Sequence, residues 1–132
     1  MSDVQRSSAA PAGLLWAFRG AFVVVAAVVV WQSLVPPDTI AVAGPSDKVM
    51  HLAGYAVLGL LAALSRFPMH PVLVWLAVSA LGAVVEVLQS LTPQRSFESL
   101  DIAADAVGAG LGVVAGLVLL RLARSRRRAT AA

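Results

Sequence analysis

The stretch DKVMHLAGY opens an otherwise apolar run by placing Asp47, Lys48, His51 and Tyr55 within nine residues. Lys48, His51 and Tyr55 stand at i, i+3 and i+7, so a helix puts them on one face. Further along come Glu86 and Gln89, one helical turn apart, then Arg95, then Asp101 and Asp105 at i and i+4. This set can hold an anion and move a proton. Lys48 and Arg95 are of a type that holds an anionic oxygen. His51 is a general base or nucleophile, and Glu86 or Asp105 can orient it. Asp47, Tyr55, Gln89 and Asp101 complete the wall of such a site.

Each residue also has an ordinary structural role. Asp47 and Asp101 sit in first helical turns, where an acid is stabilised by the helix dipole. His51 and Tyr55 can be interface and packing residues, and Gln89 can join two helices by a hydrogen bond. His70 and Arg66 read as turn residues. Glu86 has no capping role that the local sequence supplies. A divalent metal held by His51, Glu86, Asp101 and Asp105 is an alternative use of the same groups, but no tight His/carboxylate spacing demands one. The expectation is a site with no cofactor.

The elements that must position these residues are membrane helices. Of 132 residues, 59% are hydrophobic and only 13% charged, about half the ~25% usual in soluble domains. Mean hydropathy is +0.85. There is no cysteine, which excludes thiolate chemistry and disulfides. Four apolar runs at about 13–35, 47–66, 71–91 and 100–122 are each long enough to cross a hydrocarbon core of ~30 Å. Pro36 and Pro37 stop the first, and Ser46 can cap the second. Residues 1–12 read as a disordered arm, residues 13–123 as one transmembrane domain and residues 124–132 as a basic tail. The expected fold is all-α, a four-helix membrane bundle.

Charge orients it. With the amino terminus in the cytoplasm, Arg6, Arg19, Arg66, Arg121, Arg124, Arg126, Arg127 and Arg128 lie inside, and only Lys48 and Arg95 lie outside. The positive-inside rule therefore places both termini in the cytoplasm. The arginine tail reads as a topology signal and an anchor for anionic lipid. Nucleic acid is not an expected partner, because no fold for binding it accompanies the patch. Trp16, Trp31 and Trp75 fall near helix ends, as interfacial aromatics do. AVAG at 41–44 resembles a signal-peptidase site, but the apolar run before it is long for a signal peptide. Cleavage would leave three spans in the same orientation.

In this orientation the polar residues converge. Glu86 lies ~8 Å below the outer end of its helix, and the other ionisable residues of spans two to four, except Arg66 and Arg121, lie within ~10–12 Å of the outer surface. A charge facing lipid at mid-membrane costs ~2.5–3.5 kcal/mol, so these groups should face one another. No polar chain crosses the membrane, which disfavours a proton or ion pathway. Ala104, Gly108, Gly112 and Gly116 form a small-residue seam that lets a neighbouring helix approach.

The ordered set Asp47-Lys48-x-x-His51-x-x-x-Tyr55, Glu86-x-x-Gln89, Arg95 and Asp101-x-x-x-Asp105-x-x-Gly108 resembles the VanZ-like family of bacterial membrane proteins, over about residues 45–115. The resemblance implies a multi-pass protein of the bacterial inner membrane. It further implies an envelope function connected with glycopeptide (teicoplanin) susceptibility, or an enzyme acting on a lipid or polyprenyl-phosphate head group. The partners it implies are membrane lipids. The family usually carries Asn where this chain has Asp105. Non-catalytic binding of lipid or glycopeptide is the alternative function.

Overall fold

The structure is a computed structural model and describes residues 12–35, 47–92 and 98–130. Ser46, Arg95, the 1–11 arm and AVAG lie outside the described residues, as does the side chain of Asp47. Four α-helices make up the fold: α1 (Ala12–Leu34), α2 (Asp47–Leu64), α3 (Pro71–Ser90) and α4 (Ser99–Ala129). Among the described residues there is no strand. Helices α1, α3 and α4 are long and apolar enough to cross a membrane. Helix α2 has 18 residues, about 27 Å of rise, and is the shorter apolar helix of the set.

Burial follows helical periodicity. On α2 the buried positions include His51, Tyr55, Leu58 and Ala62, and Ser65 just past its end is buried too. On α3 they are Val74, Val78, Gly82, Val85, Glu86 and Gln89. On α4 they are Asp101, Asp105, Gly108, Ala109, Gly112, Val113 and Gly116. Each set repeats every three to four residues, one stripe per helix. The stripes meet in a core of Tyr55, Leu58, Ala62, Val74, Val78, Ala109 and Val113. Helix α1 has no buried residue; its Phe22, Val25, Ala26 and Val29 pack on the outside of this core.

The α2–α4 contact is the closest in the bundle, and glycine makes it so. A Cβ at Gly108 would overlap the carbonyl of Leu52, one at Gly112 that of Ala56, and one at Gly59 that of Ala109. At Gly116 it would overlap Ala63 Cβ. The small-residue seam therefore faces α2 of the same chain. Because the opposing atoms are mostly backbone, they have little room to yield.

Large apolar side chains remain exposed on the outer faces, among them Val23, Val24, Trp31, Val84, Val107, Leu111 and Val114. In water such a surface is an association liability; against lipid it is the expected boundary, since backbone groups are satisfied within helices.

Helix ends are set by specific residues. Pro71 occupies the first turn of α3, and the His70 side chain accepts from Val72 N at 3.3 Å, so His70 is the N-cap. Helix α2 ends where Ser65 Oγ donates to Leu61 O at 2.7 Å and Arg66 turns to φ 47°. Arg19 of α1 also reaches this end: Nε donates to Ser65 O at 3.4 Å, with the guanidinium over the rings of Trp16 and Phe67. Arg19 thus ties α1 to the end of α2, beyond the charge-topology role its position suggested. Trp75 likewise joins helices: its Nε1 donates to Ala106 O at 2.8 Å and ties α3 to α4.

Candidate functional site

Helices α2 and α4 run side by side in the same direction, with Gly108 against Leu52 and Gly116 against Ala63. Helix α3 packs against both, and Gly82 places it beside Asp105. This arrangement carries the polar residues of three helices to one end of the bundle.

At the centre is a buried pair. His51 Nδ1 lies 2.9 Å from Asp105 Oδ1, and their side chains are 6% and 1% exposed. Tyr55, one turn on, stacks parallel to the His51 ring with centroids 6.4 Å apart. Its hydroxyl is buried with no hydrogen-bond partner among the described residues. An added Cβ at Gly82 would overlap the Asp105 carboxylate, so a glycine on α3 makes the space in which the pair sits.

Glu86 is 2% exposed. Its Oε1 accepts the backbone N–H of Glu98 at 2.5 Å, while Oε2 has no hydrogen-bond partner among the described residues. Glu98 is the N-cap residue of α4 and makes no side-chain cap of its own. Glu86 therefore serves from a neighbouring helix at the positive end of the α4 dipole, where an acid is favoured. A role that local sequence did not offer is supplied by tertiary packing.

Lys48 is engaged with acids. Nζ lies 2.7 Å from Glu98 Oε2 and 3.7 Å from Asp101 Oδ1. The hydrogen bond from Lys48, followed by its charge, holds the exposed Glu98 carboxyl below its ordinary value. Gln89 Nε2 donates to Ser33 O at 2.7 Å and fastens α3 to the end of α1, the helix-joining role its type suggested.

The structure thus brings His51, Tyr55 and Asp105 together, with Glu86, Lys48 and Asp101 gathered at the same end. Glu98 is the residue sequence reasoning missed. The available signal was Lys48, a cation at the start of an apolar helix that needs an acid beside it. Among the described residues, no group of three or more His, Asp or Glu side chains is arranged to hold a metal ion. The described cleft, of about 170 Å³, lies at the opposite end of the bundle, and none of these polar residues lines it.

Chemically, a carboxylate on Nδ1 fixes the imidazole tautomer that presents its lone pair at Nε2, the arrangement used for proton abstraction or nucleophilic attack. No protein-family model matches the chain, and neither does any curated protein or solved structure. The class is therefore carried by the chain's own features: an all-helical protein with three helices able to cross a membrane and a buried His–Asp pair at one end.

Proposed function

We propose that the chain is a four-span protein of the bacterial inner membrane, akin to the VanZ-like family, with both termini cytoplasmic. The polar end then faces outward and acts on a phospholipid or polyprenyl-phosphate head group. His51 is the general base or nucleophile, Asp105 orients it, and Glu86 contributes a second carboxylate. Arg95 and Lys48 attract the phosphate. The reaction class that suits these groups is phosphoester hydrolysis or head-group transfer. The observation that supports the reading most is the His51–Asp105 contact. Two ionisable side chains are almost wholly buried in a chain with only 13% charged residues, and intramembrane ionisable groups mark functional sites by default.

One observation favours a second reading, a non-catalytic envelope protein that binds lipid or glycopeptide. Lys48 and Glu86 are both occupied in holding the Glu98 segment, as expected of residues that shape a binding surface. Comparing lipid head groups in cells with and without the gene separates the two. An enzyme changes the head-group profile, and a His51→Ala variant loses that change. An unchanged profile together with altered glycopeptide susceptibility selects the binder.

A further inference from the structure

The end of the bundle opposite His51 carries the described cleft, of about 170 Å³. Its apolar wall includes Ala62 of α2, Val74 of α3, and Val113 and Leu117 of α4, and Arg66 and Arg124 also line it. Pockets that enclose a whole drug-sized ligand run ~300–1,000 Å³. This one is smaller and suits a segment of a chain rather than an entire molecule.

Two further observations show what would fill it. The first concerns charge. Every acid among the described residues, Asp47, Glu86, Glu98, Asp101 and Asp105, lies on α3 beyond its midpoint or at the start of α2 or α4, at the other end. Neither the Arg66 nor the Arg124 guanidinium has an ion pair among the described residues. Helix α4 carries three more arginines past the cleft at 126–128, and every residue from Arg121 to Thr130 is exposed.

The second concerns backbone. Arg66 has φ 47°, with its N–H bonded to Ala63 O at 3.1 Å. This is the helix-terminating position at which glycine is preferred, and a non-glycine residue there carries backbone strain. The chain accepts that strain and sets a guanidinium at the mouth of an apolar cleft.

We infer that this cleft binds one acyl chain of an anionic phospholipid whose phosphate is held by Arg66 and Arg124. The site is distinct from the His51 end and belongs to the opposite leaflet. It rests on the membrane reading of the chain but not on any reaction at His51.

The test is native mass spectrometry of the purified full chain offered phosphatidylglycerol and phosphatidylcholine at equal concentration. The intact protein retains phosphatidylglycerol preferentially. Arg66→Gly combined with Arg124→Gln reduces that preference by about tenfold or more. Arg66→Gly also relieves the backbone cost, so thermal stability is kept or raised while lipid is lost. Arg127→Gln with Arg128→Gln, outside the cleft, leaves the preference within about twofold. Leu120 also lines the cleft; Leu120→Trp fills it and releases lipid with both arginines in place, and inorganic phosphate does not displace the bound lipid. Equal loss in the tail variant overturns the inference in favour of diffuse attraction to the arginine end. Equal retention of both lipids, unchanged retention in the Arg66/Arg124 variant, or retention in the Leu120→Trp protein also overturns it.

Discussion

His51 Nδ1 and Asp105 Oδ1 meet at 2.9 Å across the α2–α4 seam, at almost no exposure to the surroundings. Such a contact couples its partners. Removing either takes a hydrogen-bond partner from a buried polar group, at a cost of about 1–3 kcal/mol. A cycle of His51→Ala, Asp105→Ala and the double variant should show a coupling of about 0.5–3 kcal/mol in unfolding experiments in detergent. Asp105→Asn keeps an oxygen that can accept from Nδ1 and should leave the fold intact. Strictly additive losses would mean that the two side chains are neighbours without interaction.

Glu86 accepts from Glu98 N through one oxygen, while its second oxygen has no hydrogen-bond partner among the described residues. Glu86→Gln preserves volume and the accepting oxygen, so membrane abundance and Tm should match the unaltered protein. Its charge is gone, so any change in lipid head groups that depends on the intact gene should disappear. Glu86→Ala should instead lower Tm, because the Glu98 amide loses its acceptor, at about 1–3 kcal/mol. A full lipid phenotype in the Glu86→Gln strain would remove this residue from the proposed chemistry.

Much of this was legible in the sequence, for a reason specific to membranes. Spacing in an apolar helix fixes both face and depth, so His51, Glu86 and Asp105 could be assigned to one end before any contact was known. The Gly108–Gly112–Gly116 spacing announced a close helix neighbour, although the spacing alone did not distinguish α2 from a second copy. What could not be read depends on tertiary partners. Glu98 gains its role only because α3 carries Glu86 to its amide and α2 carries Lys48 to its carboxylate. Arg19 looks like a topology charge until α1 is laid against the end of α2. Gly82 is unremarkable in a helix until Asp105 is seen to occupy the space beside it.

The seam makes a quantitative demand. Gly112→Ala places a methyl group against the Ala56 carbonyl, a backbone atom inside a helix. Overpacking of this kind costs about 1–3 kcal/mol and should lower Tm in detergent. Gly20→Ala, whose added methyl would meet nothing within 4 Å, should leave Tm unchanged or raise it slightly, since alanine is the better helix former. Equal effects at the two positions would contradict the observed α2–α4 approach.

The exposed Lys48–Glu98 pair should be sensitive to acid alone. Its hydrogen bond and charge hold the Glu98 carboxyl below the ordinary value of 4.5. A carboxyl lowered on folding stabilises the folded state above its unfolded pKa, and this contribution is lost as pH falls through the folded one. Tm differences between the unaltered protein and Glu98→Gln should therefore be constant from neutral pH to about pH 5 and shrink below about pH 4.5. The difference should be small throughout, because exposed pairs are screened. A difference that vanishes near pH 7 would point to another titrating group.

Topology gives the most direct test of the membrane reading. Helix α2 lies along α4 from the Leu52–Gly108 contact to the Ala63–Gly116 contact. If α4 crosses the bilayer, α2 must carry the chain from the Glu98 end to the arginine end beside it, despite its shorter length. The chain contains no cysteine, so each introduced thiol reports alone. Thr39→Cys and Ser96→Cys should react with a membrane-impermeant reagent applied to intact cells. Met69→Cys, in the turn after α2, and Ala129→Cys, at the end of α4, should react only after the membrane is opened. The asymmetry follows from the basic residues, eight of ten of which lie on the cytoplasmic side in this orientation. Labelling of Met69→Cys from outside would show that α2 does not cross. Labelling of both Met69→Cys and Ala129→Cys from outside, with Thr39→Cys and Ser96→Cys protected, would invert the protein and turn the His51 end toward the cytoplasm.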